Sequence, residues 1–301
     1  MRTKFITYEQ GFTLAEAVIV IVISGIIFGI VAMFIRLPVK GYVDTQARAE
    51  LTDIADTALR RMARDIRLAL PNSVRVTTAG NRQYVEFLLT KTGARYLAEE
   101  DEPNPGRPFL RFAQAVNCAT NESDCQFEVV GPMPSEAQTI VPNDFIVVYN
   151  LGPEQDPANA YSNCTTPCNR ARVAKVDGAI ITIAANPFAI QDNGGFRSPG
   201  RHFHVVTTPV TYECDPNTGQ LRRYWDYQIS ANQPSSPDSA PLGEALGKAL
   251  LATNVQRCAF SYNNIASQRT GLVGIGLTLG AAGSNTHEVS LFNQVHVDNT
   301  P

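Results

Sequence analysis

The chain has 301 residues, 44% hydrophobic and 18% charged, with 25 Lys+Arg against 28 Asp+Glu and a formal net charge of −3. That length holds one sizeable core or two small ones. The balanced charge argues against a general nucleic-acid binder, which carries a basic patch or a pI above about 9. The hydrophobic content argues against wholesale disorder.

The N-terminus comes first. Residues 1–11 form a short polar leader whose basic residues are Arg2 and Lys4. From Ala17 to Ile35 there are 19 residues without a charge, enough for a helix across a bilayer core of about 30 Å at about 1.5 Å per residue. Arg2 and Lys4 ahead of it keep the N-terminus cytoplasmic and send the rest across. A cleaved secretory signal fits poorly. Its apolar region runs about 7–15 residues before a small-residue cleavage site, whereas Arg36, Leu37, Pro38 and Lys40 follow here. Glu16 heads the apolar block, where a lone carboxylate costs a few kcal/mol unless it is neutralised or reaches water. It either sits at the interface or awaits a cation. A cut after Gly11 would create one, the α-amine of Phe12, for pairing with Glu16 of a neighbouring copy. Six cysteines beside a membrane-type N-terminus suit an oxidising compartment and weaken the case for a soluble cytosolic enzyme.

Gly11-Phe12-Thr13-Leu14-Ala15-Glu16 resembles the type IV prepilin signature residue by residue. The resemblance implies cleavage between Gly11 and Phe12 by a prepilin peptidase that also N-methylates Phe12. It further implies that Glu16 recruits the subunit and sets its register in a filament. Ala15 and Ala17 stand where many members carry Ile or Val and Leu, mild departures that leave the Gly, Phe and Glu intact.

Beyond the apolar block, Pro38 and Gly41 predict a kink or short unwinding near 36–42. From Asp44 an amphipathic helix is expected. Ala47, Leu51, Ile54, Ala58, Met62, Ile66 and Ala69 recur at three- and four-residue spacing. Arg48, Asp53, Asp56, Arg60, Arg64 and Arg67 mark a solvated face, and Pro71-Asn72 is the stop.

After 71 the pattern is β. Strand-like runs fall at 74–78, 83–90, 127–130, 144–150, 172–176, 179–184, 202–207, 210–214, 220–227, 255–262, 272–279 and 288–297, with turn residues between them. Asp177-Gly178 is a hairpin signal, and Asp215–Gly219 joins its flanking runs in the same way. A short helix is expected at Pro241–Ala252, where Leu242, Ala245, Leu246, Ala249 and Leu250 share a face. Segments 99–108, 152–169 and 230–240 read as loops. The fold class is α+β, a long helix with a mostly antiparallel β-rich head.

Closeness in sequence favours Cys118–Cys125 and Cys164–Cys168, leaving Cys214–Cys258. Zinc spacing does not match. No G-x-S-x-G elbow, P-loop, G-x-G-x-x-G or H-E-x-x-H occurs, so no catalytic, cofactor or metal residue is expected. His202 and His204 would share a strand face without a third ligand, and His287 and His296 stand apart. Trp225 with Tyr224 and Tyr227 reads as an aromatic cluster for a core or subunit contact, with a sugar platform as the weaker use.

Residues 210–225, 250–262 and 295–301 resemble segments of the MshO family of MSHA pilus biogenesis proteins. The related PilW-type minor pilins and J-type pseudopilins of type II secretion are the alternatives, and a membrane-anchored binding domain or enzyme is a remote one. The resemblance implies four segments: leader 1–11, transmembrane and filament-core helix 12–37, amphipathic helix 38–70 and periplasmic β-rich head 71–301. It implies a minor subunit that primes assembly or caps the filament tip. Its partners would be the prepilin peptidase/N-methyltransferase, other minor and major pilins, the inner-membrane assembly platform and, through 12–37, the membrane.

Overall fold

A computed structural model describes residues 11–101, 106–112, 117–164, 167–190, 197–263, 269–280 and 288–301. The chain divides into two compact units, Met1–Glu50 and Leu51–Pro301. Helix α1 runs Leu14–Ile66 and contributes to both. Its first stretch is apolar all round. Its second, from Leu51, keeps one buried stripe: Leu51, Ala55, Ala58, Leu59, Met62 and Ile66. Of the kink or short unwinding expected near 36–42, the unwinding is absent, because α1 continues through Pro38 and Gly41. A proline removes one helical hydrogen bond, and long helical runs on either side hold the turn. α1 ends at Ile66, short of the Pro71 stop. Leu68 N–H and Ala69 N–H fall back to three-residue bonds on Asp65 and Ile66, and Leu70 N–H bonds Leu88 O at 2.8 Å. The chain has by then been drawn onto a strand.

Among its described residues the second unit has twelve strands: β1 Arg75–Ala79, β2 Arg82–Tyr96, β3 Gln126–Val130, β4 Phe145–Val147, β5 Arg170–Asp177, β6 Ile180–Ile183, β7 His202–Asp215, β8 Gln220–Trp225, β9 Gly247–Ala252, β10 Val255–Asn263, β11 Thr270–Leu279 and β12 Val289–Asp298. The pairings are antiparallel throughout. Turn chemistry places the hairpins. Gly80 (φ +60), Gly178 (φ +58) and Gly219 (φ +66) take left-handed conformations in the β1–β2, β5–β6 and β7–β8 turns.

β2 and β7 form the spine, paired from Gln83↔Cys214 to Arg95↔His202. Register shifts at Leu89/Thr90 and Thr90/Thr92 bend them. On one side of the bend they lie in a sheet of order β1-β2-β7-β8-β9. On the other they close a ring, β2-β3-β6-β5-β4-β7. The separate runs expected at 202–207 and 210–214 are therefore one strand. Pro209 interrupts neither, since it falls where β7 changes neighbours, between Val206 on β4 and Val210 on β8. A proline is tolerated where no ladder bond is needed.

Two main cores result. One lies between the α1 stripe, the sheet and the three-stranded sheet β10-β11-β12. The other fills the ring, with Phe112, Phe127, Phe188 and Phe203 at its centre. The expected helix at 241–252 is instead a turn followed by edge strand β9, paired with β8. Leu242 and Ala245 are buried, but Leu246 is 89% exposed. The open edge of β8 supplies hydrogen bonds that override the helical spacing, and Gly243 and Gly247 weaken a helix. Gly247 lies against Trp225, whose indole ring a Cβ there would overlap.

Asp65 fixes α1 to the sheet. It lies on the buried side of the helix, accepts from Tyr212 Oη at 2.8 Å and Arg223 Nε at 2.7 Å, and faces Arg61 at 3.3 Å. Removing one partner of such a buried pair strands the other, at about 3–5 kcal/mol. Asp65→Ala is expected to lower unfolding stability by that amount, followed by fluorescence of Trp225, the single tryptophan. Asp56→Ala, which breaks an exposed pair with Arg60, is expected to cost less than about 1 kcal/mol. Equal losses would contradict this division.

Candidate functional site

Gly11, Phe12 and Thr13 precede α1 in non-helical backbone and are exposed. Thr13 is the N-cap. Its Oγ1 accepts from Glu16 N–H at 3.3 Å, and its carbonyl accepts from Ala17 N–H at 3.2 Å. Thr13-x-x-Glu16 therefore has capping-box spacing, and the Glu16 carboxylate stands in the first turn, where the helix dipole favours a negative charge. The expectations for Glu16, an interfacial carboxylate or a group awaiting a cation, did not include the cap. The T-x-x-E spacing was the signal that Thr13 belongs with it.

From Leu14 to Phe34 the helix has a mean hydropathy of 3.0, and none of it is buried. Leu14, Ile21, Phe28 and Phe34 are among its exposed side chains. Its 21 residues reach about 32 Å at the helical rise, which matches a bilayer core. Gly25 and Gly29 have open space where a Cβ would stand. Their four-residue spacing leaves a notch suited to close approach by another apolar helix.

In the second unit the six cysteines stand in three bonded pairs, Cys118–Cys125, Cys164–Cys168 and Cys214–Cys258, with Cα atoms 5.5, 5.3 and 6.4 Å apart. The last ties β7 to β10. The trio is split, which corrects the cluster reading in part: Tyr224 and Tyr227 pack in one small core, and Trp225 does not join them. Tyr224 is buried and donates to Glu213 at 2.8 Å, and Tyr227 Oη donates to Glu86 at 2.9 Å. Trp225 packs on the opposite core, with the Arg223 guanidinium 4.6 Å above its ring. Neighbours along a strand point to opposite faces, so Tyr224 and Trp225 cannot share one platform. Glu86 is fully buried and meets Arg75 Nε at 2.6 Å. Burial pushes its carboxyl up, and Arg75 and Tyr227 oppose that. These groups are enclosed and hold strands together.

A groove of about 540 Å³ is lined by Arg95, His202, His204, Val130, Asp298 and Thr300 among others. His202 and His204 both reach it, but among the described residues no group of three His, Cys, Asp or Glu side chains could hold a metal ion. His287 lies outside the described residues. His296 is exposed on β12.

Burial, helped by His202 and opposed by Asp298, holds the His204 imidazole below its ordinary range. The folded state then prefers the neutral ring. Stability from this group is present above about pH 6.5 and is lost as pH falls through that value toward the depressed folded pKa. Between pH 7 and 5 the denaturation midpoint of the native chain should fall more steeply than that of His204→Gln; parallel profiles would contradict it. Replacing Cys214 and Cys258 together by Ala should cost about 4 kcal/mol, against about 2 for Cys164 with Cys168, by the loop-entropy relation. Denaturant titration reads both.

Residues 6–32 match the profile of the prokaryotic N-terminal methylation motif. No curated protein and no solved structure matches the chain. The chain thus carries a type IV prepilin-like N-terminus, an apolar helix behind it and an antiparallel β-rich head.

Proposed function

We propose that the chain is a minor pilin or pseudopilin subunit, anchored in the inner membrane through residues 12–37 until it enters a filament. The observation that carries this reading is a 21-residue apolar helix of which none is buried among the described residues, headed by Gly11-Phe12-Thr13-Leu14-Ala15-Glu16. Hydrolysis of the Gly11–Phe12 peptide bond would leave a carboxylate on Gly11 and a free α-amine on Phe12. A methyl group from a sulfonium donor would then replace one proton on that amine. The scissile bond precedes the N-cap, in non-helical backbone, where a peptidase can take it extended. In the assembled state the Phe12 amine would pair with Glu16 of a neighbour, and that contact would choose the register. Arg2 and Lys4 support a cytoplasmic N-terminus and a periplasmic head.

An MSHA-type filament is the finer reading. Its support is the likeness of 210–225, 250–262 and 295–301 to MshO segments. These fall on β7–β8, β9–β10 and the end of β12, strands that contribute to one core. A priming or tip role fits a head larger than that of usual major pilins. The chain's work would be associative, and no enzymatic role is proposed.

Glu16→Leu separates anchoring from assembly. The variant should still be cut and methylated, yet fall to background in filaments sheared from cells, while the native chain is recovered there with the other pilins. Equal recovery of Glu16→Leu, or native chain found solely in membranes of piliated cells, would contradict the reading.

A further inference from the structure

An open strand edge presents unpaired backbone groups and templates the pairing of another chain unless it is blunted. Three strand edges here are blunted. At β1, Arg75 Nη atoms bond the carbonyls of Ser230 and Ala231, and Gln233 Nε2 donates to Arg75 O at 3.1 Å. β9 has six residues, carries Lys248 and faces a register shift at Leu221/Arg222. On β10, Phe260 N–H is taken by Gln83 Oε1 at 2.8 Å, and its register slips between Val255 and Arg257. β12 has none of these devices. It is the end strand of its sheet, ten residues long, and it pairs with β11 without a shift from Val289 to Asp298. It contains no lysine and no proline. Among the described residues nothing pairs with its outer side. Phe292, in mid-strand, is 63% exposed. Gly274 and Gly276 of β11 lie beside its ring, where any Cβ would stand 3.4–3.6 Å from it. The outer face is therefore flat around the ring.

We propose that β12 pairs antiparallel with β12 of a second copy of this chain, about a two-fold axis at Phe292. Side-chain complementarity selects the occupant and the register. Centred on Phe292, the pairing stacks Phe292 on its own symmetry mate, sets Ser290 opposite Gln294 and Glu288 opposite His296. On the inner face Val289 meets Val295. Cross-strand aromatic and opposite-charge pairs are the favourable ones. Moving the axis one residue, to Asn293, would put Glu288 opposite Asp298 and lose both. Such an interface is isologous and closed, so it stops at two copies. The inference is independent of the filament reading, because it rests on the strand edge alone.

Cysteine cross-linking of the full chain in membranes tests it against a clean background, since the six native cysteines are paired. Under mild oxidation Phe292→Cys should give a covalent homodimer. Leu246→Cys, at an exposed position just before β9, which belongs to the other sheet, should not. Ser290→Cys alone should give none, while a mixture of Ser290→Cys and Gln294→Cys chains should give the heterologous link. Cross-linking of Phe292→Cys no greater than that of Leu246→Cys overturns the pairing. So does a link from Ser290→Cys to itself with none in the mixture. A link from Phe292→Cys to a different polypeptide assigns the edge elsewhere and overturns the second-copy proposal.

Discussion

The helix from Leu14 to Phe34 imposes the governing constraint. Each large apolar side chain left in water costs about 1.5–3 kcal/mol relative to burial, and this segment exposes a long series of them on every face. Among the described residues none of it is buried. Lipid or other apolar helices suit such a surface. In lipid the hydrophobic effect no longer distinguishes one helix neighbour from another, so packing shape and the few polar groups decide. On this helix those are the Gly25/Gly29 notch with Ser24 beside it, the Thr13 cap and Glu16. Of these, Thr13 and Glu16 lie within a few residues of the Gly11–Phe12 bond.

The second half of α1 obeys a different rule. From Leu51 it buries a single stripe against β-strands, in the manner of a helix of a water-soluble domain. Asp65 is the charged residue within that buried side, and Arg223 and Tyr212 meet it there. The spine of β2 and β7 links that core to the core of the ring, so a single bend at Leu89–Thr92 accounts for a sheet at one end and a closed ring at the other. Asp65, Glu86 and Glu213 are met inside by Arg223, Arg75 and tyrosine hydroxyls, and these bonds hold strands in register.

Much of this was legible in residue order. A charge-free run after Gly-Phe-Thr-Leu-Ala-Glu needs no fold to be read. Hairpins at Asp177-Gly178 and Asp215–Gly219 were legible because a left-handed glycine is a local requirement. What escaped depended on distant partners. Nothing local singles out Asp65, whose partner Arg223 lies 158 positions away, and Glu86 bonds Tyr227 across 141 positions. The 241–252 segment has helical spacing, yet the edge of β8 made it a strand. Tyr224 and Trp225 were grouped by adjacency, though strand alternation separates them. Closure of the ring by β2 and β7 is likewise non-local. Thr13 was legible and overlooked, because its T-x-x-E spacing with Glu16 coincides with a motif read for processing.

The most direct test of the central claim is the intact mass and N-terminal residue of the chain after co-expression with an active prepilin peptidase. Loss of residues 1–11, with Phe12 at the new N-terminus bearing one methyl group, is the predicted result. An uncut chain beside a control prepilin that is fully processed would contradict it, and would reduce Gly11–Glu16 to the cap of an ordinary membrane anchor.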